Sequence, residues 1–169
     1  MAPAQSSLSD LQAVRAALPR PVAVGRFVAA PGLEPWRDRR LPVRAMAIRP
    51  PRGSTFSAYI EAYLSDVLRT SGRLSAQSPV AISGRLVENH VSAGFGSGRV
   101  VLAVEFIVSR DGAERWRGVE RVEERWDPSV LGAIALEQAQ ARYGALYGRL
   151  IQALLANPQF RNAAAAGGG

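Results

Sequence analysis

Apolar residues recur along this chain with two periods, and each change of period marks an element. Between Phe56 and Leu68 they fall three and four residues apart, at Phe56, Ile60, Tyr63, Leu64, Val67 and Leu68. That spacing makes one stripe of an α-helix. Ser54 or Ser57 can cap its start, and Gly72 suits the left-handed residue after its end. From Val80 the period falls to two. Three alternating segments, Val80 to Ser92, Arg99 to Ser109 and Glu114 to Trp126, each predict a β-strand. Val100, Leu102, Val104, Phe106 and Val108 share one face of the middle strand, the face expected to be buried. Gly94-Phe95-Gly96-Ser97-Gly98 predicts the first hairpin loop and Asp111-Gly112 a tight second turn. In the last strand Val119 and Val122 are out of phase, which predicts a bulge or an exposed edge. The helical period returns over Leu136 to Ala156, with a wide stripe from Ala139 to Leu155, and Asn157-Pro158 ends it.

The first third of the chain is less regular. Leu8 to Leu18 suits a short helix, capped by Ser7 or Ser9 and stopped by Pro19 and Pro21. Pro21 to Ala29 reads as a first strand, Pro31 to Pro42 as a loop rich in Pro and Arg, and Val43 to Ile48 as a short second strand. Pro50-Pro51 and Gly53 break it. The organisation expected is a flexible segment over 1–19, one α+β domain over 20–161 and a disordered tail over 162–169. The fold expected is α+β, an antiparallel sheet of about four to five strands with two main helices packed on one face. Phe56, Ile60, Tyr63, Leu64, Val67, Tyr143, Leu146, Tyr147, Leu150 and Leu154 should then face Leu102, Val104 and Phe106, with Arg149 on the opposite helix face.

Composition narrows the chemistry. Of 169 residues 47% are hydrophobic, which supports a real core. All 21 basic residues are Arg, against 14 acids, for a net charge of +7. Such a balance attracts phosphate or an anionic membrane surface. Yet Arg is spread from Arg15 to Arg161 and acids interleave with it over Glu114 to Asp127, so no nucleic-acid partner is expected. The sequence has no cysteine, which excludes disulfides, thiolate catalysis and thiolate zinc sites. His90 is the sole histidine, so any Ser-His-Asp triad would be built around it and two-histidine metal sites are impossible. No cofactor and no metal are implied. No run of about 18 apolar residues occurs, and Met1-Ala-Pro-Ala-Gln lacks the charged and apolar regions of a signal peptide. The expectation is a cytoplasmic protein if Met1 is its native start, or a periplasmic one whose signal has been removed.

No residue is assigned to catalysis, and seven are candidates for binding. Trp36, Arg37, Arg39 and Arg40 form the densest basic cluster, suited to an anionic headgroup or an acidic partner, or to a solvated loop. Phe95 stands at the tip of a glycine-rich loop. A dinucleotide loop needs a strand before it and a helix after it; strands flank this one, so it reads as a hairpin loop with Phe95 as a contact residue. Trp116 and Trp126 flank Arg117, Glu120, Arg121, Glu123, Glu124 and Arg125. Arg on aromatic faces suits nucleic acid or sugar; cross-strand ion pairs on a solvated face need no ligand. Glu88 and His90 share one strand face, which would allow a proton shuttle, but no nucleophile motif accompanies them. Tyr59, Tyr63, Tyr143 and Tyr147, at four-residue spacing, suit helices packed on one sheet face better than a ligand cage.

Taken in order, Tyr59-Ile60-Glu61-Ala62-Tyr63-Leu64 with Ser71-Gly72, Ile82-Ser83-Gly84-Arg85-Leu86, Val104-Glu105-Phe106-Ile107-Val108 with Arg110-Asp111-Gly112, and Tyr143-Gly144-Ala145-Leu146-Tyr147 through Leu154 to Phe160 form a set. Spread over residues 20 to 161, it resembles YajG-like small envelope lipoproteins of Gram-negative bacteria and, more distantly, auxiliary lipoproteins of envelope lipid transporters. The resemblance implies a signal peptide, a lipid-bearing cysteine, attachment to a membrane facing the periplasm, an envelope protein partner and no catalytic residues. The sequence carries neither the signal nor the cysteine.

The resulting expectation is a non-enzymatic periplasmic or outer-membrane domain acting as an accessory or assembly subunit. The alternative is a cytoplasmic binder of nucleic acid or anionic surfaces through Arg37, Arg39, Arg40, Arg44, Arg49 and Arg52. A third reading is a hydrolase centred on His90 with Glu88.

Overall fold

A computed structural model describes residues 7–51 and 54–165. Arg52, and the part of the expected disordered tail from 166 onward, lie outside the described residues. The elements are α1 (Leu8–Ala17), β1 (Ala23–Ala29), a short 3-10 helix (Pro35–Asp38), β2 (Leu41–Val43), β3 (Met46–Ile48), α2 (Phe56–Thr70), β4 (Val80–Gly94), β5 (Ser97–Arg110), β6 (Ala113–Trp126), α3 (Gly132–Ala156) and α4 (Pro158–Ala165).

The fold is α+β. Its main sheet has the order β1-β4-β5-β6. The last three strands form an antiparallel meander, while β1 pairs with β4 in parallel. The expected antiparallel sheet is thus corrected to a mixed one. The reason is the crossover through α2, which returns the chain to the end at which β1 began. The single strand expected over Val43 to Ile48 is instead a hairpin. Leu41 pairs with Ile48 and Val43 with Met46, around a turn in which Arg44 takes φ 55°.

Helix α2 lies over β1 and β4, and α3 over β5 and β6. The predicted apolar stripes, from Phe56 to Val67 and from Tyr143 to Leu154, are buried, as are Leu102, Val104 and Phe106. Burial on this scale, worth about 25 cal/mol per Å² of apolar surface, is the main stabilising contribution. The N-terminal segment expected to be flexible contains a docked helix. Ser7 and Asp10 form a reciprocal capping box, and α1 lies on α2 and α3 with Val14, Ala17 and Leu18 buried. Asp10 accepts hydrogen bonds from Gln152 (2.8 Å) and the Tyr63 hydroxyl (3.4 Å). At the other end α4 continues to Ala165, with Phe160 and Ala164 buried.

The strands carry register shifts where the sequence shows none. Between Leu86 and Glu88 the β4–β5 register slips, leaving Val87 unpaired. The inward parity therefore switches from Ile82, Gly84 and Leu86 to Asn89, Val91 and Ala93. Val119 is exposed because β6 is an edge strand and Val119 pairs across from Glu105 on the uncovered face.

Candidate functional site

Among the described residues no helix covers the second face of the sheet, and Arg and Glu fill it. Register places Arg99, Val101, Ala103 and Glu105 of β5 between Glu88, His90 and Ser92 of β4 and Val119, Arg121, Glu123 and Arg125 of β6. Glu123 accepts from Arg125 at 2.7 Å, Arg121 at 2.8 Å and Arg99 at 2.9 Å. These bonds, the one from Arg99 foremost, hold its carboxyl well below the usual range. Glu105 pairs with Arg117 (2.9 Å) and Arg85 (3.6 Å), and Glu88 with Arg121 (2.9 Å). Val101 and Ala103 are buried beneath this lattice. Charges already matched across strands leave no sign-segregated stripe here.

The aromatic candidates of β6 turn the other way. Trp126 pairs directly with Gly98, its ring lies where a side chain at Gly98 would stand, and it is buried beneath the Arg142 guanidinium at 5.6 Å. Trp116 is half-buried and meets Phe160 of α4 edge-on at 5.7 Å. Both tryptophans stand on the helix-covered side. They share it with Glu124, which pairs with Arg142 and Arg149, and with Glu120, which accepts from Asn157 at 2.7 Å.

The basic cluster is divided. Arg39 and Arg40 are exposed, whereas Arg37 is pinned. Its guanidinium lies over Trp36 at 4.4 Å and donates to Glu34 (2.6 Å) and to the Asn89 carbonyl (3.4 Å). The Asn89 side-chain amide donates in return to the Arg37 carbonyl at 2.8 Å. Asp38, buried between the two arginines, accepts from the backbone N–H and the hydroxyl of Ser57, both at 2.7 Å. Tyr147 donates to Tyr143, and Tyr143 to the Asn89 oxygen. Asp38 and Asn89 are the polar residues that organise this corner, and neither stood among the candidates. A polar residue inside a run of charges carries no local sign of burial.

His90 faces Arg37, whose Nη1 lies 3.5 Å from Nδ1. A guanidinium only donates, so Nδ1 is the accepting nitrogen and the ring proton sits on Nε2. Partial burial, then Arg37 and Arg99, push the imidazole pKa down. Glu88 points instead to Arg121. Glu88 is thus engaged by Arg121 rather than hydrogen-bonded to His90, the pair on which the hydrolase reading is centred.

Phe95 belongs to a different assembly at the loop end of the sheet. Arg44, held in its left-handed turn, donates from Nε to the Ala93 carbonyl (2.8 Å), from Nη1 to that of Val130 (3.0 Å) and from Nη2 to that of Ser129 (2.9 Å). Its guanidinium lies 5.1 Å from the centre of the Phe95 ring. One side chain thus joins the β2–β3 turn, the β4–β5 turn and the start of α3. Two residues that it touches are apolar and exposed, Phe95 at 85% and Val130 at 74%, and Leu131 (61%), Ile134 and Met46 are exposed as well. A β-carbon at Gly132 would meet Met46 Cε at 3.9 Å, which places the hairpin against the helix start.

The candidates thus occupy three places: Trp36 with Arg37 at the corner, Phe95 at the loop end, and the two tryptophans under the helices. No family model matches the chain, nor does any curated protein. Among solved structures the chain is similar to protein XCC0632 of the DUF330 family from Xanthomonas campestris. They are 14% identical, with 80% of this chain and 84% of that chain covered at a TM-score of 0.52, so the fold is shared. It also matches PelC, crystallised as a dodecamer, from Paraburkholderia phytofirmans at 18% identity over 82% of this chain and 88% of that chain, TM-score 0.41. A minor lipoprotein from Acinetobacter baumannii matches at 14% identity over 82% of this chain and 91% of that chain, TM-score 0.36.

Proposed function

We propose that this chain is a non-enzymatic accessory subunit of the Gram-negative cell envelope, carried at a membrane facing the periplasm and docked on an envelope protein by the loop end of its sheet. The observation that carries the docking is the cluster gathered by Arg44. Phe95 and Val130, both in contact with Arg44, are strongly exposed there, as is the adjoining Leu131, and exposed apolar surface gathered in one place marks interaction sites. The cluster is braced by bonds to three carbonyls, so its presentation is built into the fold. The ordered motifs that resemble those of YajG-like lipoproteins support the envelope placement.

Site-specific photocrosslinking tests the reading. The protein is expressed from its full native reading frame with a photoreactive residue at Phe95, Leu131 or, as a control on the uncovered face, Arg85. Recovery in the envelope fraction, with one crosslinked partner at 95 and 131 and none at 85, is the expected result. Recovery in the cytosol, or equal crosslinking at all three positions, overturns the proposal. Salt-sensitive retention of DNA or RNA at low ionic strength would favour the Arg-rich binder instead.

A further inference from the structure

Across the sheet, Arg85, Arg99, Arg117, Arg121, Arg142 and Arg149 each face a carboxylate. At the far end of β5 from Phe95 that pattern stops. Arg110, the last residue of β5, pairs in register with Val80. On one side it lines a cleft with Arg20, Pro21, Pro79, Val80 and Ala164. On the other it lines a hollow with Arg115 and Trp116 against α4. Among the described residues, Arg20, Arg110 and Arg115 make no ion pair, although Asp111 also lines the cleft. The Arg110 Nε–H is shut off from solvent and has no acceptor among them.

A buried donor without an acceptor is unfavourable, and a guanidinium is satisfied best by the paired oxygens of a carboxylate or phosphate. The nearest hydroxyl, that of Ser78, is committed elsewhere. The Ser78 hydroxyl donates to the Pro21 carbonyl (2.9 Å) and accepts from the Val80 N–H (3.2 Å). Ser75, Gln77 and Asp111 stand on the polar part of the wall, and the two prolines, Val80 and Ala164 form its apolar part. We propose that this cleft binds an amphiphile with a single oxyanion head, a phosphate or carboxylate, held by Arg110 with Arg20, while a short apolar body lies along Pro21, Pro79, Val80 and Ala164. This site lies at the end of the sheet away from Phe95 and does not depend on the envelope reading.

The test is amide NMR of the full chain titrated with decyl phosphate below its micelle concentration, with inorganic phosphate and decanol as separate arms. Decyl phosphate should saturably shift Ser78, Val80, Arg110 and Asp111. Arg110→Gln should weaken it by about tenfold, and Arg20→Gln, at an exposed position that leaves the fold intact, by a smaller factor. Equal affinity for inorganic phosphate overturns the amphiphile, and equal affinity for decanol overturns the oxyanion. Shifts that Arg110→Gln and Arg20→Gln both leave unaltered overturn the site. If deleting residues 166–169 alone produces the same shifts, the occupant is the chain's own end and the proposal falls.

Discussion

Tyr143 of α3 donates its hydroxyl proton to the side-chain oxygen of Asn89 on β4 at 2.7 Å, and both residues are buried. The unpaired Val87 makes this bond possible, because the slip after Leu86 turns Asn89 toward the helices. Burial raises the Tyr143 pKa well above that of a free phenol and so keeps its proton in place. Asn89 then fixes the Arg37 carbonyl, so the helix, the sheet and the Trp36 corner meet at one amide.

Tyr143→Phe should destabilise the protein by about 1–3 kcal/mol, because it leaves a buried amide oxygen without its donor. Tyr147→Phe removes only the donor to Tyr143 and should cost about 0.5–1.5 kcal/mol. Urea denaturation of both variants measures the difference. An unchanged midpoint for Tyr143→Phe would mean that Asn89 finds another donor.

Leu150→Ala should cost about 2–5 kcal/mol through the cavity it opens between α3 and the sheet. Arg149 does not stand clear of the sheet as the helical period suggests: it lies 3.4 Å from Glu124 and donates to the Glu123 carbonyl at 3.1 Å. Both side chains of that pair keep water contact, so Arg149→Ala should cost about 0–1 kcal/mol. Equal denaturation midpoints for the two variants would refute the docking of α3.

Two glycines should respond to alanine with opposite signs. At Gly98 a methyl group would run into the Trp126 ring, and Gly98→Ala should cost about 1–3 kcal/mol. Gly144, inside α3, has nothing within 4 Å of an added methyl, and Gly144→Ala should stabilise by about 0.5–1 kcal/mol through helix propensity. Thermal unfolding of the pair reads both signs.

His90 sets a pH dependence. Its folded pKa is depressed, first by burial and then by Arg37 and Arg99, so the folded state disfavours the protonated ring. Between the folded and unfolded values the unfolded chain binds more protons, and stability rises with pH. The contribution is complete above the unfolded value of about 6.5 and is lost as pH falls through the folded one. Proton NMR should place the His90 titration below that of free histidine, and His90→Gln should flatten the stability profile in this window. A titration at or above the free value contradicts the geometry.

The helices Phe56–Thr70 and Gly132–Ala156, the three long strands and their two hairpins were legible because each is written in local periodicity and closed by its own turn residues. Phe95 was legible as a hairpin tip for the same reason. The parallel pairing of β1 was not, since a seven-residue strand carries no mark of the direction of a partner more than fifty residues away. Nor was the slip at Val87, where an apolar residue suits either parity.

The sequence by itself determined the long helices and strands and which side of each is apolar, because backbone periodicity and solvent exclusion act on near neighbours, but not the β2–β3 hairpin or α4, which are too short to show a period. Only the tertiary structure decided which polar residues are buried, which arginines find a carboxylate, and which exposed apolar groups stand together. Trp116 and Trp126 read as members of a charged strand, yet they are drawn to the helix-covered side, where Gly118 and Gly98 leave room for their rings. Phe95 and Val130 are far apart along the chain and are brought to one place by Arg44, which lies against the Phe95 ring and reaches three carbonyls at once. Contacts of that kind depend on distances in space, which no local pattern encodes.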